Sequence, residues 1–381
     1  MIFHIFLLSF SMEICILGAG FQGRVIAQDL TDDNYQITVI DNNQKHLQRI
    51  KEGKKIKTKR FDVSEKRDFI DFLKNFDLIV GALPAKLGFY AMRCAVEAGV
   101  DIIDISYAEE NPFVLDILAK KRKVRVVPDA GFAPGLSNIL VGEAWREFGK
   151  IENLRIRVGG IPQNPLPPFN YRYTWSPDDL IAEYTRPARI IRNYREVKVE
   201  ALSGIEIFTL PEIGKLECFY TDGLRTLLKT LRGVKNMEEK TIRYPGHALL
   251  MKKMLKTGFL PDEPNPFTNQ KVKPKGFILD FLKAELSRGD ELDLTILLIE
   301  VEGKGRRRRY KIIDYYDRRK RISSMARLTG YTAGIIARRI KNYSGFGIIP
   351  PEYLGREKDF SDFIKSELKR RGVVIKKKDW A

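Results

Sequence analysis

The sequence predicts an α/β protein: a doubly wound parallel sheet at the N-terminus, then an α/β domain with a mixed sheet, then a C-terminal helix that returns to the first domain. Three observations carry this expectation. Short β-branched runs alternate with longer helix-period segments from Glu13 to Val127, a glycine turn joins the first run to the first helical segment, and the pattern changes after Asp129-Ala130-Gly131. A chain of 381 residues outgrows a single hydrophobic core, so domains at 12–132 and 133–322 are expected, with 323–381 packing back on the first.

The six strands of the first domain are read at Ile14 to Leu17, Gln36 to Ile40, Ile56 to Lys59, Leu78 to Gly81, Asp101 to Ile105 and Val124 to Val127. Helix-period apolar residues fill Phe21 to Leu30, Asn43 to Lys51, Asp68 to Asn75, Gly88 to Ala98 and Asn111 to Lys121. Beyond the glycine- and proline-rich loop, a helix is expected at Leu136 to Phe148. Strands follow at Leu154 to Val158, Val197 to Ala201, Lys215 to Tyr220 and Leu294 to Val301. Pro162 to Pro168 holds four prolines in seven residues, an extended loop of fixed backbone, followed by the aromatic Phe169, Tyr171, Tyr173 and Trp175. Pro261 to Pro274 reads as a long polar connection. Helical periodicity resumes over Ser323 to Lys341 and again over Phe360 to Arg370, ahead of a basic tail.

Hydrophobic residues at 44% and charged residues at 30% exclude broad disorder and a membrane-embedded chain. The net charge of +18 is scattered; its densest run is Arg306 to Arg309. Flanked by Leu294 to Val301 and Tyr310 to Ile313, Gly303-Lys304-Gly305 reads as a hairpin turn, and the run as a solvated basic edge rather than a nucleic-acid site. Cys15, Cys94 and Cys218 form no close pair, so structural thiols and a reducing, cytoplasmic location are expected, without a metal site. Met1 to Ser11 is apolar but has no basic start or cleavage site and is too short to span a bilayer; Met12 is the expected first residue.

Gly18-Ala19-Gly20-Phe21-Gln22-Gly23 follows an apolar strand and opens a helix, the setting in which G-x-G-x-x-G binds a dinucleotide. Gly18 permits the tight turn, Gly20 lets backbone approach a pyrophosphate, Gly23 lets helix meet strand, and Phe21 and Gln22 supply amides at the helix N-terminus. Asp41 ends the second strand where a carboxylate accepts hydrogen bonds from the adenosine ribose, and Asn42-Asn43 follow it without an arginine for a 2′-phosphate. The expected cofactor is therefore NAD in a Rossmann domain. Topology adds Asp62 and Val63 near the adenine, and Leu83 and Pro84 near the nicotinamide ribose.

Few residues are suited to the substrate side. Arg243 precedes a Pro245-Gly246 turn and His247, which pairs a guanidinium for a carboxylate with an imidazole; a scaffold salt bridge and a hydrogen-bonded core histidine fit the same residues. Asp129, Ser106 and Tyr107 stand at carboxyl ends of predicted strands, where open α/β sheets bind ligands; helix capping and packing are the plainer alternatives.

These residues, together with Asp104-Ile105-Ser106, Asp129-Ala130-Gly131-Phe132-Ala133-Pro134-Gly135, Gly159-Gly160-Ile161-Pro162-Gln163, Trp175-Ser176-Pro177, Tyr184-Thr185-Arg186-Pro187-Ala188, Tyr220-Thr221-Asp222-Gly223 and Arg243-Tyr244-Pro245-Gly246-His247, resemble the saccharopine dehydrogenase-like oxidoreductases over roughly 13–355. Ser324-Met325-Ala326-Arg327 and Thr329-Gly330-Tyr331-Thr332 extend the resemblance. It implies oxidation at a carbon bearing nitrogen, with the lysine 6-dehydrogenase branch the nearest: hydride passes from the ε-carbon of L-lysine to NAD, leaving the semialdehyde and ammonia. The same resemblance assigns Arg243 to a substrate carboxylate, Tyr220 and Asp222 to the pocket wall or ammonium, and Asp129, His247 and Tyr107 to proton transfer. Arg225 and Ser323-Ser324 depart from the lysine pattern. An extra cation suits a second carboxylate, which keeps a glutamate-forming saccharopine dehydrogenase or a carboxynorspermidine-type enzyme as the alternative, and an NAD-binding regulatory protein as the non-enzyme one. A homo-oligomer is expected by analogy, with a small amino acid as the partner and neither nucleic acid nor membrane.

Overall fold

The computed structural model describes residues 11–50, 53, 55–256, 280–282 and 284–380. The leader up to Phe10 and the polar connection from Pro261 to Pro274 lie outside the described residues. Residues 1–130 and 333–349 form one compact unit; 131–332 and 350–381 form another. In chain order the strands are β1 (Met12–Leu17), β2 (Tyr35–Asp41), β3 (Ile56–Arg60), β4 (Leu78–Gly81), β5 (Asp101–Asp104), β6 (Arg125–Val127), β7 (Asn153–Pro162) and β8 (Ala188–Arg192). They continue as β9 (Arg195–Val199), β10 (Glu206–Leu210), β11 (Gly214–Tyr220), β12 (Asn236–Arg243), β13 (Asp293–Gly303), β14 (Arg306–Tyr315), β15 (Gly347–Ile348) and β16 (Lys376–Trp380).

The first unit is the doubly wound sheet that the alternation predicts, in the order β15-β6-β5-β4-β1-β2-β3 with every pair parallel. β4 and β5 are buried throughout, as interior strands covered on both faces must be. The seventh strand, β15, is two residues long, too short for any periodic signal. Helix Phe21–Leu30 lies where expected. Helix Ala85–Ala98 starts at Pro84 and stops at Gly99, whose φ of 81° supplies the left-handed cap. Asn43 to Lys51, expected as a helix, is a single turn, Gln44–Leu47, capped by the Asn43 side chain on the Lys45 amide. Among the described residues there, only Leu47 and Ile50 are buried, too little apolar surface to sustain a longer helix.

The second unit is built on a mixed sheet in the order β10-β11-β12-β7-β13-β14-β16, with β8 pairing β12 and β9. β12 and β7 run parallel; the other pairs are antiparallel. The predicted hairpin is β13–β14, closed by Lys304 and Gly305 at φ 51° and 69°, the left-handed pair of a type I′ turn. The basic run departs from expectation. Arg306, Arg307 and Arg309 are exposed, but strand alternation turns Arg308 inward, where its guanidinium meets Asp379 at 2.7 Å and Glu147 at 2.6 Å. β14 is not an edge either, because β16 covers it, and the lysines of β16 guard the edge in its place.

Of the C-terminal segment, 333–349 belongs with the first unit and 350–381 with the second. Glu352 gives the physical reason. It is fully buried and accepts hydrogen bonds from Asn138, Thr226 and Thr230, which fixes helix Pro351–Arg356 to the second unit, and burial pushes its carboxyl up. The three cysteines are buried and unpaired. Among the described residues no helix is long and apolar enough to cross a membrane, and no group of three or more His, Cys, Asp or Glu is placed to hold a metal ion.

Asp293 ends on the first turn of helix Ser324–Arg339, accepting the amides of Ser324 at 2.7 Å and Met325 at 3.0 Å. Burial outweighs those two donors and, with the Asp314 charge nearby, raises the Asp293 carboxyl to about 6. The raised folded-state value favours the protonated form, so its contribution is complete below pH 4 and lost as pH rises through 6. Asp293→Asn should therefore gain on the wild type by up to about 3 kcal/mol between pH 4 and pH 7, read by denaturant unfolding. A difference that stays constant with pH contradicts this.

Candidate active site

Within the first unit β1 lies between β4 and β2, so helices leave the sheet in opposite directions on either side of it, and the carboxyl ends of β1, β2, β4, β5 and β6 share one rim. Gly18, at φ 100°, turns the chain off β1; a Cβ there would stand 2.5 Å from the Ala82 carbonyl oxygen. A Cβ on Gly23 would stand 1.9 Å from the Gly18 oxygen. Gly20 differs: its φ of −68° suits any residue, and a Cβ there meets nothing within 4 Å. The chain itself does not require glycine at Gly20, so the space it leaves is open to a ligand. Gly20 caps helix Phe21–Leu30 with no side-chain acceptor, which leaves that capping position to an anion. These features fit a dinucleotide pyrophosphate.

Asp41 closes β2. Its Oδ2 accepts the Ala19 amide at 2.8 Å and its Oδ1 the Asn43 amide at 2.7 Å, while His46 Nδ1 lies 3.2 Å from Oδ2. Two amides and one face of imidazole fix the carboxylate over the glycine turn. Asp62 is exposed and accepts the Ser64 amide, which lowers its carboxyl; Val63 is buried and its carbonyl accepts from Tyr90. Leu83 packs on the core of the unit and Pro84 caps the next helix. On the same rim Asp104 accepts both the amide and the hydroxyl of Ser106. Tyr107 is half-buried, and Asp129 is buried just past β6 with φ 53°, a left-handed backbone that a short polar side chain tolerates.

The second unit gathers Arg243 and His247 with Phe169, Tyr171 and Tyr184 of the motifs above and with Glu183 and Thr241, which the sequence did not single out. Arg243, 2% exposed, donates from Nη2 to Glu183 at 2.7 Å and from Nη1 to the Ile242 carbonyl at 2.9 Å; its guanidinium carbon lies 4.3 Å from the Tyr171 ring centre. Glu183 also accepts from Thr241. His247, 1% exposed, has Nδ1 at 2.8 Å from the Phe169 carbonyl and Nε2 at 2.9 Å from the Tyr184 hydroxyl. A carbonyl only accepts, so Nδ1 carries the proton, Nε2 accepts, and Tyr184 donates. Burial, reinforced by the Arg243 charge, drives His247 down to about 3, and burial holds Tyr171 and Tyr184 protonated. With both ring nitrogens engaged, His247 here joins helix His247–Lys256 to the loop at Phe169 and to helix Pro177–Thr185.

Tyr220 and Asp222 do not join this cluster. Register pairs Glu217 with Arg243 and Tyr220 with Lys240, which places Tyr220 three rungs away on the opposite face. Its hydroxyl donates to Glu238, and Asp222 holds Arg189 through Nε at 2.9 Å and Nη2 at 2.8 Å. Arg243, expected at a substrate carboxylate, and Tyr220 and Asp222, expected at the pocket wall or ammonium, thus stand in separate hydrogen-bonded groups of this sheet. Glu183 and Tyr184 had a signal, since Tyr184 opens the Tyr-Thr-Arg-Pro-Ala motif, but nothing in the sequence shows which arginine Glu183 faces.

A parallel sheet of this order, a glycine turn whose middle glycine faces open space and an acid closing the second strand define a Rossmann-type dinucleotide-binding protein. Comparison with known proteins narrows the class. Residues 14–126 match the model of the saccharopine dehydrogenase NADP binding domain, and 131–373 match that of the saccharopine dehydrogenase C-terminal domain. The chain belongs to the saccharopine dehydrogenase family. It is 23% identical over 302 residues to saccharopine dehydrogenase [NADP(+), L-glutamate-forming] of Pyricularia oryzae, covering 75% of this chain and 66% of that one. It is 22% identical over 288 residues to the mitochondrial alpha-aminoadipic semialdehyde synthase of Mus musculus, covering 70% of this chain and 30% of that one. The chain thus spans less than two thirds of either relative. The fold matches that of saccharopine dehydrogenase (L-Glu forming) from Saccharomyces cerevisiae, with a TM-score of 0.78 at 18% identity over 97% of this chain and 100% of that one. These names back the glutamate-forming alternative better than the lysine 6-dehydrogenase expectation.

Two measurements check the cluster. Removing the Glu183 carboxylate strands a buried guanidinium, so Glu183→Ala should lower stability by about 3 kcal/mol in denaturant unfolding. In ¹⁵N spectra of imidazole, assigned by loss of the signal in His247→Gln, His247 should remain the neutral Nδ1–H tautomer from pH 8 to pH 5; a midpoint inside that range contradicts the burial argument.

Proposed function

We propose that the protein is an NAD-dependent dehydrogenase of an amino-acid C–N bond, with saccharopine as donor and L-glutamate as one product. The observation that carries this reading is the match of both units, in sequence, to the two saccharopine dehydrogenase domain models. Asp41 supports NAD, because a carboxylate fixed by two amides suits the ribose hydroxyls and repels a 2′-phosphate. The NADP in the names of the family model and of the Pyricularia oryzae relative makes the cofactor part of the test.

When bound, a nicotinamide would supply the hydride acceptor. The amides after Gly20 would hold its pyrophosphate and Asp41 its adenosine ribose. Loss of a hydride from carbon and a proton from nitrogen leaves an imine, which water splits into L-glutamate and an aldehyde. Asp129, just past β6 at the carboxyl rim of its sheet, is assigned to receive the amine proton, with Tyr107 just past β5 on the same rim. Arg243 is assigned to a substrate carboxylate, with Glu183 yielding part of the guanidinium when that carboxylate arrives. His247, neutral with both ring nitrogens engaged, is assigned to hold the Tyr184 hydroxyl beside Arg243.

Reduced-nicotinamide formation with saccharopine, L-lysine and a carboxylated polyamine, each with NAD and NADP, tests the reading. kcat/KM should be at least about tenfold higher for saccharopine than for lysine, and higher with NAD. A preference for lysine restores the lysine 6-dehydrogenase expectation; tight dinucleotide binding without turnover on any amine favours a regulatory protein. Arg243→Lys keeps the charge but loses the fork, so KM for saccharopine should rise about tenfold with kcat little changed.

A further inference from the structure

We infer that Arg60 sets how far the cofactor site accepts a 2′-phosphate, an inference that rests on the dinucleotide reading above. The sequence shows no arginine after Asp41, but parallel pairing of β2 with β3 puts Arg60 in register with Asp41. The last residues of two neighbouring strands therefore stand side by side at the carboxyl rim. Arg60 is exposed, and its Nε donates to the Asn42 carbonyl at 3.2 Å. That bond holds the guanidinium against the residue that follows Asp41. An acid and a base are thus delivered together to the ribose end from adjacent strands.

The two have opposite preferences. Asp41 favours a ribose with both hydroxyls free and repels a phosphate; a guanidinium attracts the phosphate through its planar set of donors and never deprotonates. With His46 already leaning on Asp41 Oδ2, the carboxylate charge is partly engaged, which weakens its repulsion of a phosphate. The site so built takes NAD by default and admits NADP through Arg60, with the selectivity set by the balance of the two side chains.

Equilibrium fluorescence titration of the full chain with NADH and with NADPH reads this balance without catalysis. The ratio of Kd for NADPH to Kd for NADH should rise about tenfold in Arg60→Ala and return to within about threefold of wild type in Arg60→Lys, which keeps the charge. A ratio unchanged in Arg60→Ala overturns the inference and leaves the dinucleotide reading standing. Failure of the wild type to bind either dinucleotide overturns both.

Discussion

The backbone of helix Phe21–Leu30 comes so close to the turn leaving β1 that no side chain fits between them. Gly23 meets the Gly18 carbonyl and Gly18 meets that of Ala82, each at a separation that a single Cβ would violate. This contact locks the helix onto the sheet and aims its N-terminal amides along the rim where Asp41, Asp104 and Asp129 stand. The rest of the first unit builds on it. β1 is held in the sheet between β2 and β4, and the Gly18 amide is tied to the Ile40 carbonyl one residue before Asp41.

The second unit depends on a different device, a buried polar hub formed by consecutive residues of one motif. Arg243 reaches Glu183, Tyr244 reaches the carbonyls of Pro162 and Gln163, and His247 joins Phe169 to Tyr184. Glu217 on β11 accepts the amides of Gly246 and Ala248, so the turn that separates Arg243 from His247 is pinned by a carboxylate at the start of the following helix. A hub of this kind is costly to break, because each lost partner leaves a desolvated group behind. It also keeps the imidazole neutral, with both ring nitrogens in hydrogen bonds.

The first unit was almost wholly legible in the sequence. All six predicted strands are present because each is a short β-branched run between turn signals, and the glycine turn is local enough to be read without tertiary knowledge. Other features are carried only by register. Arg308 looks solvated until alternation turns it inward, while the pairing of Arg60 with Asp41 and the three rungs between Tyr220 and Arg243 appear only in the ladders. β15 and β16 were missed because one is two residues long and the other is a lysine run that reads as a tail. The division of 333–349 from 350–381 turns on the buried carboxyl of Glu352, whose partners lie more than a hundred residues earlier.

Gly20 isolates what the glycine turn does for a dinucleotide, since a methyl group there touches nothing in the protein. Calorimetric titration of NAD into the wild type and Gly20→Ala, with thermal unfolding of both, is the most direct measurement. The unfolding midpoint of the variant should stay within about 2 °C of wild type while its affinity falls about tenfold or more. Equal affinity in the two proteins would show that the turn serves the scaffold alone.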